Sequence, residues 1–99
     1  MRRIRVTRRA AADLKAIARH TRAEWGDAVM TAYLHDIDER IRRLAAMPDL
    51  GRARPDVYTD CRILPSGRHL IVYRAEAETI DILAVPHQAM DLPRHLSRR

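Results

Sequence analysis

The residues best suited to chemistry lie in the segment VPHQAMDLPRHL, residues 85–96. This segment places His87, Asp91, Arg94 and His95 close together in the chain. An imidazole titrates near neutral pH, so His87 could serve as a general acid or base. The same residue types could also form a surface that contacts a larger partner. The segment alone leaves both interpretations open.

Other histidines and arginines extend the first interpretation to a metal-independent ribonuclease. Such an enzyme needs a base for the ribose 2′-hydroxyl, an acid for the leaving oxygen and cations for the phosphate. The candidates share a position on or next to predicted strands, and they are His69, His87, Arg62, Arg68 and Arg74. The rim of a sheet in any basic protein would carry similar residues, so their spacing does not decide between the two interpretations.

Other kinds of site have little support in the sequence. No pair of two-ligand motifs converges on a metal, and three glycines in all leave no glycine-rich phosphate loop. Cys61 is the single cysteine, which excludes an internal disulfide and favours a reducing compartment. Because it lies in a strand-like stretch, we expect a small core residue rather than a reactive thiol. We predict no metal and no cofactor.

The charge of the chain indicates the chemistry of its partners. Lys and Arg number 19 against 13 Asp and Glu, for a formal net charge of +6, and Lys15 is the only lysine. Arginine forks pair well with phosphates and carboxylates, so the expected partner is nucleic acid, an acidic protein segment, or both in turn. No apolar run suggests a signal peptide or a membrane span, and we expect a soluble cytoplasmic protein.

Hydrophobic periodicity predicts one domain over residues 1–99 that begins with a strand and two helices. Alternation over Arg3–Thr7 predicts the strand, and apolar spacings of three and four predict helices over Ala10–Glu24 and Ala28–Met47. Gly26 is expected to end the first helix and Asp27 to cap the second. Along the second helix, acids precede arginines by four residues and should form solvated ion pairs.

The second half of the chain reads as a loop followed by three strands. The loop spans Pro48–Asp56, and the strands cover about Cys61–Leu64, Arg68–Ala75 and Ile80–Val85. Short links imply mainly antiparallel pairing. The prediction is a two-layer α+β domain, with an antiparallel helical hairpin packed on one apolar face of about four strands. Trp25 and Tyr33 are expected to pack between these layers.

Four strings in this order resemble the RelE/ParE superfamily of toxins from bacterial toxin–antitoxin modules. They are AAADLKAIARHTRAEWG, residues 10–26; AAMPDLGRARPD, residues 45–56; RILPSGRHLIVYR, residues 62–74; and IDILAVPHQAMDLPRHL, residues 80–96. The resemblance covers essentially the whole chain. It is closer to ParE than to RelE, because H-x-x-M-D followed by P-R-H-L, and P-x-x-G-R-x-R-P from Pro48, look like ParE. The lysines, arginines and tyrosine that RelE-type nucleases present are missing from the corresponding positions, so the resemblance implies no catalytic residues.

The resemblance implies a toxin that inhibits DNA gyrase and that a ParD-like antitoxin with an acidic helical tail neutralises, in a heterotetramer or larger complex. The antitoxin contacts expected on this basis are Arg68, Arg74, Trp25 and Tyr33. The expected target contacts are His87, Met90, Asp91, Arg94, Arg98 and Arg99. Two alternatives stay open: a ribosome-dependent messenger endonuclease of RelE type, and a degenerate toxin that serves only as antitoxin partner.

Overall fold

A computed structural model describes residues 1–89 of the chain and contains two helices and a five-stranded sheet. The elements in chain order are β1 (Arg3–Val6), α1 (Arg8–Trp25), α2 (Asp27–Arg43), β2 (Arg52–Ala53), β3 (Cys61–Ser66), β4 (His69–Ala75) and β5 (Thr79–Ala84). The predicted α+β class and the helical hairpin on a mainly antiparallel sheet are confirmed. No helix within the described residues has the length and apolar character needed to cross a bilayer.

The two helices are joined by a single residue. Thr7 caps α1, because its Oγ1 accepts a hydrogen bond from the Ala10 N–H at 3.2 Å. Gly26 ends α1 with a positive φ of 89°, as predicted. The prediction that Asp27 caps α2 was wrong: Asp27 is the first residue of the helix, and its carboxylate pairs with Arg22 at 2.9 Å. Helix α2 ends at Arg43 rather than near Met47, although Leu44 and Ala45 in the following turn remain buried.

The sheet has the strand order β1-β5-β4-β3-β2. Strand β1 runs parallel to β5, with Arg5 opposite Asp81, and the remaining neighbours are antiparallel. The segment predicted as a plain loop contains β2, which pairs Arg52 with Ile63 and raises the strand number from about four to five. Strand β3 also continues through Pro65 to Ser66, so the turn to β4 consists of Gly67 and Arg68 alone.

Both faces of the sheet bury apolar side chains, whereas the sequence predicted one such face. The larger cluster lies between helices and sheet and includes Ile37, Ile41, Leu44, Ile71, Tyr73, Ile80 and Ile82. A second cluster consists of Val57, Cys61, Ile63, Val72, Leu83 and Ala84, with Tyr58 and Leu70 packed against it. The segment between β2 and β3 contributes Val57 and Tyr58 to this second cluster. Cys61 is 2% exposed, as expected of a core residue.

Tyr73 attaches the segment after α2 to the core. Its hydroxyl donates to the Pro48 carbonyl at 2.7 Å and accepts from the Gly51 N–H at 2.8 Å. A Cβ at Gly51 would lie 2.8 Å from the Tyr73 ring and 2.9 Å from the Ile63 carbonyl oxygen, so glycine permits this close approach. The Arg62 guanidinium donates to the Gly51 carbonyl at 2.7 Å and holds the same segment from the other side.

Candidate functional site

The candidate site is a groove where α2 meets the β3–β4 turn, and Tyr33 lies at its centre. The Tyr33 hydroxyl is 2.6 Å from Nδ1 of His69 and accepts a hydrogen bond from the Arg68 N–H at 3.0 Å. Its ring also fits against the turn, because a Cβ at Gly67 would lie 2.5 Å from a Tyr33 ring carbon. Gly67 has a φ of 59°, so both the turn and the contact favour glycine at this position.

His69 and His87 meet at the start of β4. They form an isolated antiparallel bridge, and their ring centroids are 5.3 Å apart at an interplanar angle of 81°. Two backbone hydrogen bonds hold the crossing, from Leu70 N–H to the Pro86 carbonyl at 2.9 Å and from Gln88 N–H to the Arg68 carbonyl at 2.8 Å. The edge of the His69 ring also faces Tyr33, with centroids 5.6 Å apart. The three rings therefore form one continuous aromatic row.

The hydrogen-bond distances favour one arrangement of the protons in this row. Because Arg68 N–H donates to Tyr33, the hydroxyl proton can go to His69 Nδ1 at 2.6 Å or to the Ser66 carbonyl at 3.3 Å, and the shorter contact favours His69. His87 Nδ1 accepts from the Ala89 N–H at 3.1 Å. In their neutral forms both rings thus carry the remaining proton on Nε2.

The electrostatics of the row favour a neutral His69. Partial burial lowers the pKa of His69 below its ordinary value of 6.5, and the neighbouring His87 and His20 lower it further, while Asp13 opposes the shift. A neutral His69 with its proton on Nε2 offers a hydrogen-bond donor. Its basic nitrogen is already occupied by Tyr33, which argues against a role as general base.

The groove around this row has a volume of about 300 Å³. We call it the Tyr33 groove, and its lining residues are His20, Thr21, Trp25, Val29, Tyr33, Gly67, Arg68, His69 and His87. Trp25 is 70% exposed and Val29 is 46% exposed. Exposed apolar side chains beside a groove are typical of a binding site for another chain. A second hollow of about 260 Å³ shares His20, His69 and His87 with it.

The structure brings together part of the predicted site. Trp25, Tyr33, Arg68 and His87 all line the Tyr33 groove. Trp25 does not pack between the helices and the sheet as the sequence analysis expected, because it is the last residue of α1 and its side chain projects from the domain. Tyr33 is half-buried and packs against the main core, as expected.

Two arginines proposed for the ribonuclease site lie elsewhere. Arg74 stacks on the Tyr58 ring, 5.3 Å from its centroid, and its Nε is 2.9 Å from Glu76. Arg62 donates to the Gly51 carbonyl and is 3.5 Å from Asp49. Neither arginine lines the groove with His69 and His87, so the predicted set of acid, base and cations is dispersed, and Arg74 is separated from the other expected antitoxin contacts. The other predicted target contacts, Met90, Asp91, Arg94, Arg98 and Arg99, lie outside the described residues.

Sequence reasoning missed His20, Thr21, Val29 and Gly67 as members of the groove. Val29 carried a usable signal, because it precedes Tyr33 by four residues on the second helix and therefore falls on the same side of that helix. Among residues 1–89 no cluster of His, Cys, Asp and Glu is suited to a metal ion. Burial raises the pKa of the Cys61 thiol, which also donates to the Arg54 carbonyl at 3.0 Å, so this thiol is a poor nucleophile.

Comparison with known proteins identifies the fold and the family. The family model for the ParE toxin of the type II toxin–antitoxin system parDE matches residues 4–92. Toxin ParE1 of Mycobacterium tuberculosis is 39% identical over 88 residues, which cover 88% of this chain and 90% of that protein. Toxin ParE of Escherichia coli is 32% identical over 95 residues, which cover 95% and 92% of the two chains.

A solved structure agrees with these matches. A chain described as the chromosomal ParDE TA system from P. aeruginosa has a TM-score of 0.76 and 28% sequence identity, covering 88% of this chain and 96% of that one. The helical hairpin and mixed sheet are thus those of a RelE/ParE superfamily toxin. Within that superfamily, the chain belongs to the ParE toxin family of type II toxin–antitoxin systems.

Proposed function

We propose that this protein is the toxin of a two-component module, that a ParD-like antitoxin neutralises it by placing a helical tail in the Tyr33 groove, and that the free toxin inhibits DNA gyrase. Family membership supports the module and the class of target. The observation that carries the antitoxin site is the exposed apolar row of Trp25 and Val29, which leads directly to Tyr33. Both partners would act in the cytoplasm.

The groove has the chemistry that an amphipathic tail requires. A partner helix can place apolar side chains against Trp25 and Val29, and exposed aromatic residues contribute much of the binding energy at such interfaces. Arg68 lies exposed at the rim, where it can pair with an acidic residue of the tail. A tail that is disordered when free would fold as it binds, which suits an antitoxin that must be released.

The affinity of the ParD-like antitoxin for alanine variants of this protein tests the site. We expect Trp25→Ala to weaken the complex at least about 30-fold, because a truncated hot-spot aromatic costs roughly 2 kcal/mol or more. Arg68→Ala should weaken it less and reduce its salt dependence. Met47→Ala and Arg52→Ala are matched controls, since both residues are exposed and neither lines the groove. Equal affinities for Trp25→Ala and Met47→Ala would place the antitoxin elsewhere.

The proposed contacts with gyrase follow from the resemblance to ParE toxins and not from the geometry of the Tyr33 groove. His87 ends the described part of the groove, and the predicted contacts that follow it include Arg94, Arg98 and Arg99. Purified toxin should stabilise gyrase-dependent breaks in a supercoiled plasmid, and added antitoxin should abolish them. Deletion of residues 93–99 should reduce these breaks while antitoxin binding persists. A folded toxin that arrests growth without gyrase-dependent breaks would overturn the gyrase assignment.

One observation favours a second candidate, the ribonuclease. Tyr33, His69 and His87 lie side by side with Arg68 at the rim of the same groove, and these residue types occur in RNA-cleaving sites. The proton assignment argues against it, because both Nδ1 atoms are engaged within the protein. We therefore place this activity second and test it separately below.

A further inference from the structure

The two helices of the hairpin are both rich in arginine, but they neutralise these charges differently. On α2, Arg42 pairs with Asp38 at 2.7 Å and Arg43 with Glu39 at 3.0 Å. The third cation, Arg40, turns towards the Asp36 carbonyl and the Ser66 hydroxyl. Each cation near the end of α2 thus finds an oxygen partner within the protein, and the helix presents a locally balanced surface.

Helix α1 presents a row of exposed cations with few partners. We call Arg8, Lys15, Arg19 and Arg22 the α1 stripe; their spacings of seven, four and three residues place them on one side of a helix with 3.6 residues per turn. Arg22 pairs with Asp27, whereas Arg8, Lys15 and Arg19 make no ion pair with any described residue. At about 1.5 Å per residue, the stripe is about 21 Å long.

The acids of α1 do not offset this charge. Asp13 is turned inward, where it pairs with Arg9 at 3.3 Å and accepts from the Val85 N–H at 2.8 Å. Glu24 is the other acid of the helix, and its position falls on the opposite side from the stripe. The exposed surface beside the stripe is formed by small residues, Ala12 and Ala23. Arg8, Lys15 and Arg19 thus form a row of cations beside small side chains and without an ion-pair partner among the described residues.

From this arrangement we infer that the α1 stripe binds the phosphate backbone of double-stranded DNA. Phosphate contacts dominate the affinity of proteins for DNA and need cations that can approach closely. Charge is complementary along the whole stripe, whose length corresponds to about six base pairs at 3.4 Å per pair. The alanines next to it let a DNA strand come close to the helix.

The composition of the stripe argues against other polyanions. A protein partner would need apolar residues to bury at the centre of the interface, and alanines provide little such area. A single strand would need aromatic side chains on which its bases could stack, and the stripe has none. The Tyr33 groove provides both kinds of residue, and it meets the stripe at the C-terminal end of α1, where Trp25 follows Arg22 by three residues. The inference therefore goes beyond the antitoxin site and does not depend on gyrase being the target.

Binding of a fluorescently labelled 20-base-pair DNA duplex to the purified full-length toxin tests the inference, with no gyrase or antitoxin present. Three phosphate contacts give a slope of about −2.7 in log affinity against log salt, so wild-type affinity should fall roughly 40-fold between 50 and 200 mM salt. The triple variant Arg8→Gln, Lys15→Gln, Arg19→Gln should bind at least about tenfold more weakly at 50 mM salt and lose most of this salt dependence.

A matched control separates the stripe from net charge. The triple variant Arg40→Gln, Arg42→Gln, Arg43→Gln removes the same formal charge from α2 and should retain most of the affinity. Thermal melting checks that each variant remains folded. The α1 substitutions are at exposed positions, so we expect them to change the melting temperature little. Equal losses in the two triple variants would overturn the inference, as would absence of duplex binding by the wild type at 50 mM salt. Tighter binding of single-stranded DNA, duplex RNA or poly-glutamate than of duplex DNA would overturn it as well.

Discussion

The Tyr33 hydroxyl and His69 Nδ1 lie 2.6 Å apart and join helix α2 to the first residue of β4. The bond links two residues that are 36 positions apart in the chain. With Arg68 N–H donating to the same hydroxyl, Tyr33 is fixed by the turn that it supports. Tyr33 and His69 thus hold α2 against the start of β4.

Acidification should destabilise the fold through His69. Burial lowers the pKa of His69 in the folded state below 6.5, so the unfolded chain binds the proton more readily. The stabilising effect of the neutral ring is thus fully present above about pH 6.5 and is lost as the pH falls below that value. The free energy of unfolding, measured with urea, should fall less between pH 7.5 and pH 5.5 in His69→Gln than in wild type.

His35→Gln is the control for this measurement, because the His35 side chain is 73% exposed. Its free energy of unfolding should fall between the two pH values by as much as that of the wild type. If the fall were as large in His69→Gln, the burial of His69 would have no consequence for stability.

Replacement of Tyr73 by phenylalanine should destabilise the segment after α2. The ring would still fill the core, but the buried Gly51 N–H would lose its acceptor and the Pro48 carbonyl its donor. An unsatisfied buried polar group costs about 1–3 kcal/mol, which chemical denaturation can resolve. Asp49→Asn, at a side chain that is 86% exposed, should change the unfolding free energy by less than about 0.5 kcal/mol. Equal effects of the two substitutions would contradict the proposed role of the hydroxyl.

Trp25 should matter for binding and not for folding. Its side chain is 70% exposed, so Trp25→Ala should alter the unfolding free energy by no more than about 0.5 kcal/mol. Ile37→Ala at a position that is 1% exposed should cost about 2–5 kcal/mol in the same measurement. A large loss in Trp25→Ala would instead mean that the indole contributes to the core.

We expect no cleavage of translated messenger RNA by this protein. Primer extension after expression should show no codon-specific cuts, because the Nδ1 atoms of His69 and His87 are engaged within the protein and Arg62 and Arg74 lie outside the groove. A positioned acid or base contributes about 10²- to 10⁴-fold, so a real catalyst would be conspicuous. Cuts that appear with wild type and vanish in His87→Ala would restore the ribonuclease.

Much of the fold could be predicted because its periodicities are strong. Both helices and the four longer strands follow from apolar spacing, and Gly26 marked the boundary between the helices. Strand β2 could not be found this way, since Arg52 and Ala53 are too few to show an alternation. The second buried face was missed although Ile80–Val85 contains adjacent apolar residues, a pattern typical of strands that are covered on both sides.

The site was less predictable because it depends on register and direction. His69 and Arg74 are five residues apart, and an odd separation along a strand directs side chains to opposite faces. This parity could have separated Arg74 from the groove. The contact between Tyr33 and His69 had no such signal, since it requires the packing of α2 on the turn. Trp25 follows the spacing of the apolar residues of α1, but that spacing does not show where the sheet beneath the helix ends.

The parallel pairing of β1 with β5 has a consequence for synthesis of the toxin on the ribosome. Arg3 lies opposite Thr79, so the first strand of the chain has no partner until the last strand of the sheet has emerged. The helical hairpin can form earlier, but its apolar side has little to pack against until most of the sheet has formed. Contacts between residues so distant in sequence slow folding. A ribosome-bound nascent chain would thus keep its sheet open until β5 has left the ribosome.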